Sequence, residues 1–219
     1  MKINIVIPAK GNSTRIKAKN MIKLNGKSLV YLACEKVLKC KNIDNVYLDT
    51  DSQEILSDVS GLMHKGLKII NRSPLLANND IGANEMMIYA LHSVEECDLL
   101  LQTFCTSPLL SSETIDDCIE KFLSNGNEQF DSFFTVVNMQ EYLWKDNKPI
   151  NFCKEHLPNS FELEKIQVET HGLYGIRPAS LLENKTRVGI NPMLIEISKL
   201  ESFDINDNED IEILERLYV

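Results

Sequence analysis

Apolar and polar positions along this 219-residue chain follow two rhythms. Short apolar runs recur at residues 3–7, 46–50, 67–70, 99–101, 132–137, 172–176 and 193–197; these read as strands, and as buried parallel strands where the run is unbroken. Between them, apolar residues repeat at three- and four-residue spacing. Leu29, Leu32, Ala33, Val37 and Cys40 share one face of a helix over 29–39, with Ser28 as its N-cap. Met86, Met87, Ala90, Leu91 and Val94 do the same over 82–97. Further helices are predicted over 53–59, from Ser111 or Ser112 to Leu123 with Asn125-Gly126 as the stop, and from near Asp207, burying Ile211, Leu214 and Leu217. This alternation predicts an α/β fold with a doubly wound, mainly parallel sheet. Residues 138–168 break the rhythm with polar sequence around Lys148-Pro149 and Leu157-Pro158-Asn159, and read as an arm on a single domain spanning 1–219.

Composition narrows the class. A hydrophobic content of 43% suits one packed domain of this length. No run of 18 apolar residues is present to span a membrane, and Lys2 before the first strand, with no small-residue cleavage site, does not make a signal peptide. The six cysteines (Cys34, Cys40, Cys97, Cys105, Cys118, Cys153) form no C-x-x-C pair and are expected to be reduced thiols of a cytoplasmic protein. A net charge of −9 argues against nucleic acid as a partner, because neutralising a phosphate backbone needs an extended basic face.

Against that acidic background the first strand runs into Pro8-Ala9-Lys10-Gly11-Asn12-Ser13-Thr14-Arg15-Ile16-Lys17-Ala18-Lys19-Asn20, with Lys23 just after. Ligands of open α/β sheets sit beyond the carboxyl ends of the strands, so this basic loop lies where an anion binds. A polyphosphate is its natural partner, and a solvated lysine-rich loop is the bland alternative. It is not a G-x-x-x-x-G-K-[ST] loop, since Ile16 stands where the second glycine belongs, nor a G-x-G-x-x-G turn. Three more segments follow predicted strands: Asn71-Arg72-Ser73-Pro74 onward to Gly82 and Asn84; Leu101-Gln102 with Thr106-Ser107-Pro108; and Asp204-Ile205-Asn206-Asp207.

In order and spacing these segments resemble the cytidylyltransferases that make CMP-activated sugar acids, the CMP-sialic acid and CMP-Kdo synthetase family. The resemblance covers nearly the whole chain and includes His171-Gly172-Leu173-Tyr174-Gly175 as a sugar-facing strand. It implies a nucleotide-diphospho-sugar transferase-like, Rossmann-like fold whose arm over 138–168, carrying the lone Trp144, reaches a partner subunit in a homodimer. It also implies in-line attack of a sugar hydroxyl on the α-phosphate of CTP, with pyrophosphate leaving on Mg2+. In that reaction the protein works by positioning and charge stabilisation.

Under the resemblance, Ala9, Lys10, Gly11, Asn12, Ser13, Thr14, Arg15, Lys19 and Asn20 hold the triphosphate, with Lys19 and Arg15 as the catalytic cations. Arg72, Gly82 and Asn84 read the cytidine, while Gln102, His171 and Tyr174 face a small acidic sugar acceptor. Asp204 and Asn206 hold Mg2+, a hard cation that takes one or two carboxylates plus phosphate and water. Capping of the last helix accounts equally well for Asn206, Asp207 and Asp210, and Tyr174 also fits the core. Asp204 is placed at a strand's end.

The chain departs from the family pattern at several points. Leu110 stands where an arginine is common, one extra residue separates Gln102 from Thr106, and Asn206 replaces a second aspartate. Glu169 stands where sialic-acid members place a cation for the substrate carboxylate, and His171 replaces their asparagine. A carboxylate facing a carboxylate is unfavourable, so the acceptor stays open among a nonulosonic or Kdo-like acid, a sugar phosphate and a phosphonate. A non-catalytic nucleotide-binding relative is the alternative from another class.

Overall fold

The computed structural model describes residues 1–12, 16–73, 76, 81–125 and 129–217. The chain opens with β1 (Ile3–Pro8), the small hairpin β2 (Lys23–Leu24) and β3 (Lys27–Ser28), then α1 (Leu29–Val37) and β4 (Asn45–Thr50). Next come α2 (Gln53–Asp58), α3 (Ser60–Met63), β5 (Leu67–Asn71), α4 (Ala83–Ser93), β6 (Leu99–Thr103), α5 (Ser112–Asn125) and β7 (Ser132–Met139). The excursion holds β8 (Trp144–Lys145) and β9 (Lys148–Pro149), and β10 (Ile166–Ile176), α6 (Pro178–Asn184), β11 (Pro192–Glu196) and α7 (Asn208–Leu217) complete the chain.

The seven long strands form one sheet in the order β11-β7-β10-β6-β1-β4-β5. β6, β1, β4 and β5 pair in parallel, as do β7 and β11, and β10 runs against both of its neighbours. The chain winds outward from β1 through β4 to β5, then crosses to β6 on the other side of β1. Strand order reverses there, which opens a crevice at the carboxyl ends of β1 and β6.

Strand alternation supplies two cores. Ile3, Ile5 and Ile7 face a large one packed by α1, α2 and α5, whose Leu29, Ile55 and Phe122 are fully buried. Val6, Tyr47 and Leu100 face a smaller one with Met87 of α4 and Leu181 of α6. The polar residue inside β1, Asn4, is buried but satisfied: its amide donates to the Glu95 carbonyl at 2.7 Å and accepts from Asn45 at 2.8 Å. Ser28 caps α1 through the Tyr31 N–H at 3.0 Å.

Several boundaries differ from the sequence pattern. α4 stops at Ser93, short of the predicted 97, because Glu95 turns away to pair with Lys2 and Lys68. Leu214 of α7 is buried, but Leu217, predicted inside, is 51% exposed because the helix ends beyond the core's edge. Gly126, the expected helix stop, lies outside the described residues. The short β2–β3 hairpin, α3 and α6 carry too little periodicity to register in sequence. All six cysteines are free thiols.

β7 and β10 pair as far out as Met139 and Ile166, so residues 140–165 form the excursion proper. It is tied to itself: the Gln140 amide donates to the Phe161 and Leu163 carbonyls, and Phe152 packs edge-on against both Tyr142 and Trp144.

Candidate active site

Four strand ends and three loops build the site. At the end of β1, Ala9 is buried and donates its N–H to the Asp49 carbonyl at 2.8 Å. Lys10 and exposed Asn12 flank Gly11, whose N–H meets the Asp51 carboxylate at 2.9 Å. A Cβ on Gly11 would lie 2.8 Å from that of Ser52, so the close approach of the two loops requires glycine. Asn20 closes the basic loop by donating to the Lys10 carbonyl at 2.9 Å. Ser13, Thr14 and Arg15 lie outside the described residues.

Lys19 sits in a short 3₁₀ turn, Lys19–Met21, and is 92% buried, with Nζ donating to the Ile205 carbonyl at 2.5 Å. The Ile205 N–H in turn donates to the Thr106 carbonyl at 2.9 Å. Lys19 thereby ties the basic loop to the Asp204–Asn206 segment and the Thr106–Pro108 segment. These are three of the motifs separated in sequence.

Arg72 is buried beside β4, and its guanidinium grips Asp49: Nε–Oδ1 3.1 Å, Nη2–Oδ2 2.7 Å and Nη2 to the Asp49 carbonyl at 3.2 Å. Burial pushes the Asp49 carboxyl up from its ordinary value, against the pull of Arg72. Arg72, Gly82 and Gln102 line a cavity of about 150 Å³ together with Met86 and Phe104. Asn84 is not among the residues lining it; its side-chain oxygen accepts the backbone N–H of Arg187, which does line it, at 3.0 Å.

A second cavity of about 370 Å³ abuts the first and is lined by Phe104, Thr106, His171, Arg187, Asp204 and Asn206. Phe104 and Arg187 line both. Arg187 is the functional residue that sequence reading missed. Its guanidinium lies 3.8 Å from the Tyr174 ring centre, donates Nη1 to Gln102 Oε1 at 3.2 Å, and stands 3.7 Å from Glu169. It comes from the polar turn after α6, where the left-handed Lys185 ends the helix and no strand precedes it. The one signal available was Glu169, an acid standing where the resemblance places a cation.

His171 is 59% exposed at its side chain and faces the second cavity. Tyr174 is fully buried; its hydroxyl donates to Glu169 and meets His171 Nδ1 at 3.0 Å, so it orients those two side chains from the core. Burial and the Glu169 carboxylate raise the Tyr174 hydroxyl above its ordinary value. Cys105, next to the site, is pushed up to about 12 by burial and remains a neutral thiol, so it offers no nucleophile.

Asp204 does not end a strand. β11 finishes at Glu196, and a turn over 198–203 carries the chain back before Asp204. Its position comes from the bonds that hold Ile205. Asp204 Oδ1 is buried and has no hydrogen-bond partner among the described residues, which suits an acceptor meant for a cation. Asn206 lines the same cavity. Asp207 caps α7 instead, accepting from the Glu209 and Asp210 N–H groups at 2.9 and 3.1 Å. Asp210 folds back on the Asn206 N–H at 2.7 Å.

A basic loop at a strand-order reversal, beside two cavities that share Phe104 and Arg187 and an orphaned carboxylate oxygen, fits a nucleotide-handling enzyme of the doubly wound class. The chain matches the cytidylyltransferase family over residues 4–217 and belongs to it. Among curated relatives it is similar to the 3-deoxy-manno-octulosonate cytidylyltransferase of Thermodesulfovibrio yellowstonii (25% identity; 96% of each chain covered). It is likewise similar to the pseudaminic acid cytidylyltransferase of Campylobacter jejuni (24%; 100% and 97% covered). Among solved structures, a CMP:2-keto-3-deoxy-manno-octonic acid synthetase complexed with CTP shares the fold, with a TM-score of 0.68, 14% identity, and 99% and 98% of the two chains covered. The 4-diphosphocytidyl-2C-methyl-D-erythritol synthase of Anaerococcus prevotii shares it too (TM-score 0.70, 14% identity, 99% and 95% covered).

Proposed function

We propose that this enzyme transfers CMP from CTP to a hydroxyl of a 2-keto sugar acid of the Kdo or pseudaminic acid class, releasing pyrophosphate, in surface-glycan biosynthesis. The observation that carries the reading is Arg187 between two joined cavities. The smaller, with Arg72, Gly82 and Gln102, suits the nucleoside. The larger offers a cation for an acid: Arg187 supplies the positive charge that Glu169 removes from the strand position. Both curated relatives above are named for acids of this kind. Asp204, with Asn206 beside it, is the group suited to hold Mg2+, which supplies positive charge against the triphosphate when bound. Lys19 adds a fixed, desolvated cation close by, with Lys10 and Arg15 taken as further cations for the triphosphate.

The same reading assigns the excursion to a homodimer contact, since Trp144, Ile150, Leu157 and Phe161 are all more than half exposed there. Free thiols throughout agree with a cytoplasmic home, where CTP is made.

The test is pyrophosphate release with CTP, UTP, ATP or GTP crossed with Kdo, pseudaminic acid, a sialic acid, a sugar phosphate and a phosphonate. CTP-selective release with one keto acid, lost in Lys19→Ala and Arg187→Ala, is the expected result. Turnover of only a phosphorylated acceptor, or no nucleotide binding at all, would overturn it.

A further inference from the structure

This inference rests on the cytidylyl-transfer reading above and concerns how the acceptor hydroxyl loses its proton. The ladder between β10 and β7 runs to Glu169↔Val136 and resumes only at Tyr174↔Phe134. Inside that bulge His171 takes φ +56°, a left-handed conformation uncommon outside glycine and concentrated at functional sites. Buried bonds clamp the bulge: the hydroxyls of Thr135 and Thr170 meet at 2.6 Å, and Thr103 donates to the Gly172 carbonyl at 2.7 Å. Glu169, His171 and Tyr174 are thereby gathered beside Arg187 from the turn after α6, with His171 on the wall of the larger cavity that Asp204, from the loop before α7, also lines.

The bonding pattern assigns a tautomer. A phenol has one proton, and that of Tyr174 goes to Glu169. Its oxygen therefore accepts from His171, so the 3.0 Å contact requires the His171 proton on Nδ1, which also points it toward Glu169 at 3.6 Å. Nε2 is left with its lone pair, and it makes no hydrogen bond among the described residues.

We propose that His171 Nε2 is the general base for the acceptor, with Tyr174 and Glu169 as positioning residues that fix its tautomer and stabilise the positive charge it gains. The acceptor O–H proton passes to Nε2 as the oxygen forms its bond to the α-phosphorus. The bond from that phosphorus to the bridging oxygen breaks, pyrophosphate leaves with the electron pair, and the imidazolium then releases its proton to water. Imidazole is the side chain most often used for such transfer. The Glu169 carboxylate, relayed through the Tyr174 hydroxyl, stabilises the imidazolium in the way an orienting acid serves a catalytic histidine.

Two measurements decide it. Nitrogen-15 correlation spectra of the substrate-free protein should show the Nδ1–H tautomer of His171 in wild type, and a shift toward the other form in Tyr174→Phe. An Nε2–H tautomer in wild type overturns the proposal. His171→Gly suits the left-handed backbone, so its melting temperature should not fall and CTP binding should persist. Its kcat, with whichever of Kdo or pseudaminic acid the wild type uses, should drop roughly 10²- to 10⁴-fold. Added imidazole should restore part of that rate, and methylimidazoles should rescue in order of basicity. A His171→Gly enzyme that keeps its rate within about threefold, or that no imidazole rescues, also overturns it. No turnover of any acid by wild type would instead count against the cytidylyl-transfer reading, and the tautomer spectrum would still judge the relay.

Discussion

Removing Arg72 should cost stability as well as nucleotide recognition. Arg72 and Asp49 are 8% and 1% exposed, and three contacts at 2.7–3.2 Å join them under the basic loop. In Arg72→Leu the Asp49 carboxylate stays buried with no cation. Breaking a buried pair from one side costs about 3–5 kcal/mol, mostly as the penalty of the abandoned charge. For a chain of this length, each kcal/mol moves Tm by about 2–4 °C, so the expected drop is roughly 6–20 °C. The pH dependence follows in sign. Burial already raises the Asp49 pKa above its ordinary 3.8, and losing Arg72 raises it further. A carboxyl raised in the folded state binds a proton more tightly there than in the unfolded chain, so the penalty is fully present above the folded value and fades as pH falls below it. The deficit of Arg72→Leu should therefore shrink on acidification. Because the cost lies in the orphaned charge, Arg72→Leu/Asp49→Leu should regain at least half of the loss. Thermal and urea melts of the ligand-free protein separate this from any effect on CTP. A deficit under about 1 kcal/mol, or a double variant no better than the single, would refute the argument.

Gly175→Ala would place a Cβ 2.2 Å from Phe133 and 2.7 Å from Leu101 in the core, and should lower stability by about 1–3 kcal/mol by urea melt. Gly11→Ala should leave the melt nearly unchanged but raise the KM for CTP about tenfold or more, because its Cβ would push the basic loop off Ser52. Lys36 donates Nζ to the Ser107 carbonyl at 2.8 Å, and burial lowers its pKa to about 8 from 10.5. Between those values the unfolded chain holds the extra proton, so stability should rise with pH through that window. Lys36→Met should flatten the rise, on the order of 1–3 kcal/mol in melts from pH 7.5 to 10.

The sequence by itself determined the elements of the sheet and the loops that follow its strands. The runs at 3–7, 46–50 and 99–101 are predominantly apolar because those strands are covered on both faces, and burial on two sides writes its pattern directly into residue type. Arg72 was legible because a charged residue directly after an apolar strand stands out from it, and Lys19 and Asp204 were legible through the resemblance of their segments to the family's. Tertiary structure alone decided which of them touch. Lys19 meets Ile205 across 186 positions, and Asp204 is placed by those bonds, not by a strand. Arg187 reaches Gln102 across 85 positions from a turn whose composition is ordinary. His171 owes its exposure to a three-residue change of register against β7, and neither bulge nor left-handed backbone leaves a periodic trace in a non-glycine residue. Periodicity records the side on which a residue is buried. The partners of a polar atom are set by how the whole chain packs, because hydrogen bonds between segments far apart impose no spacing along the sequence.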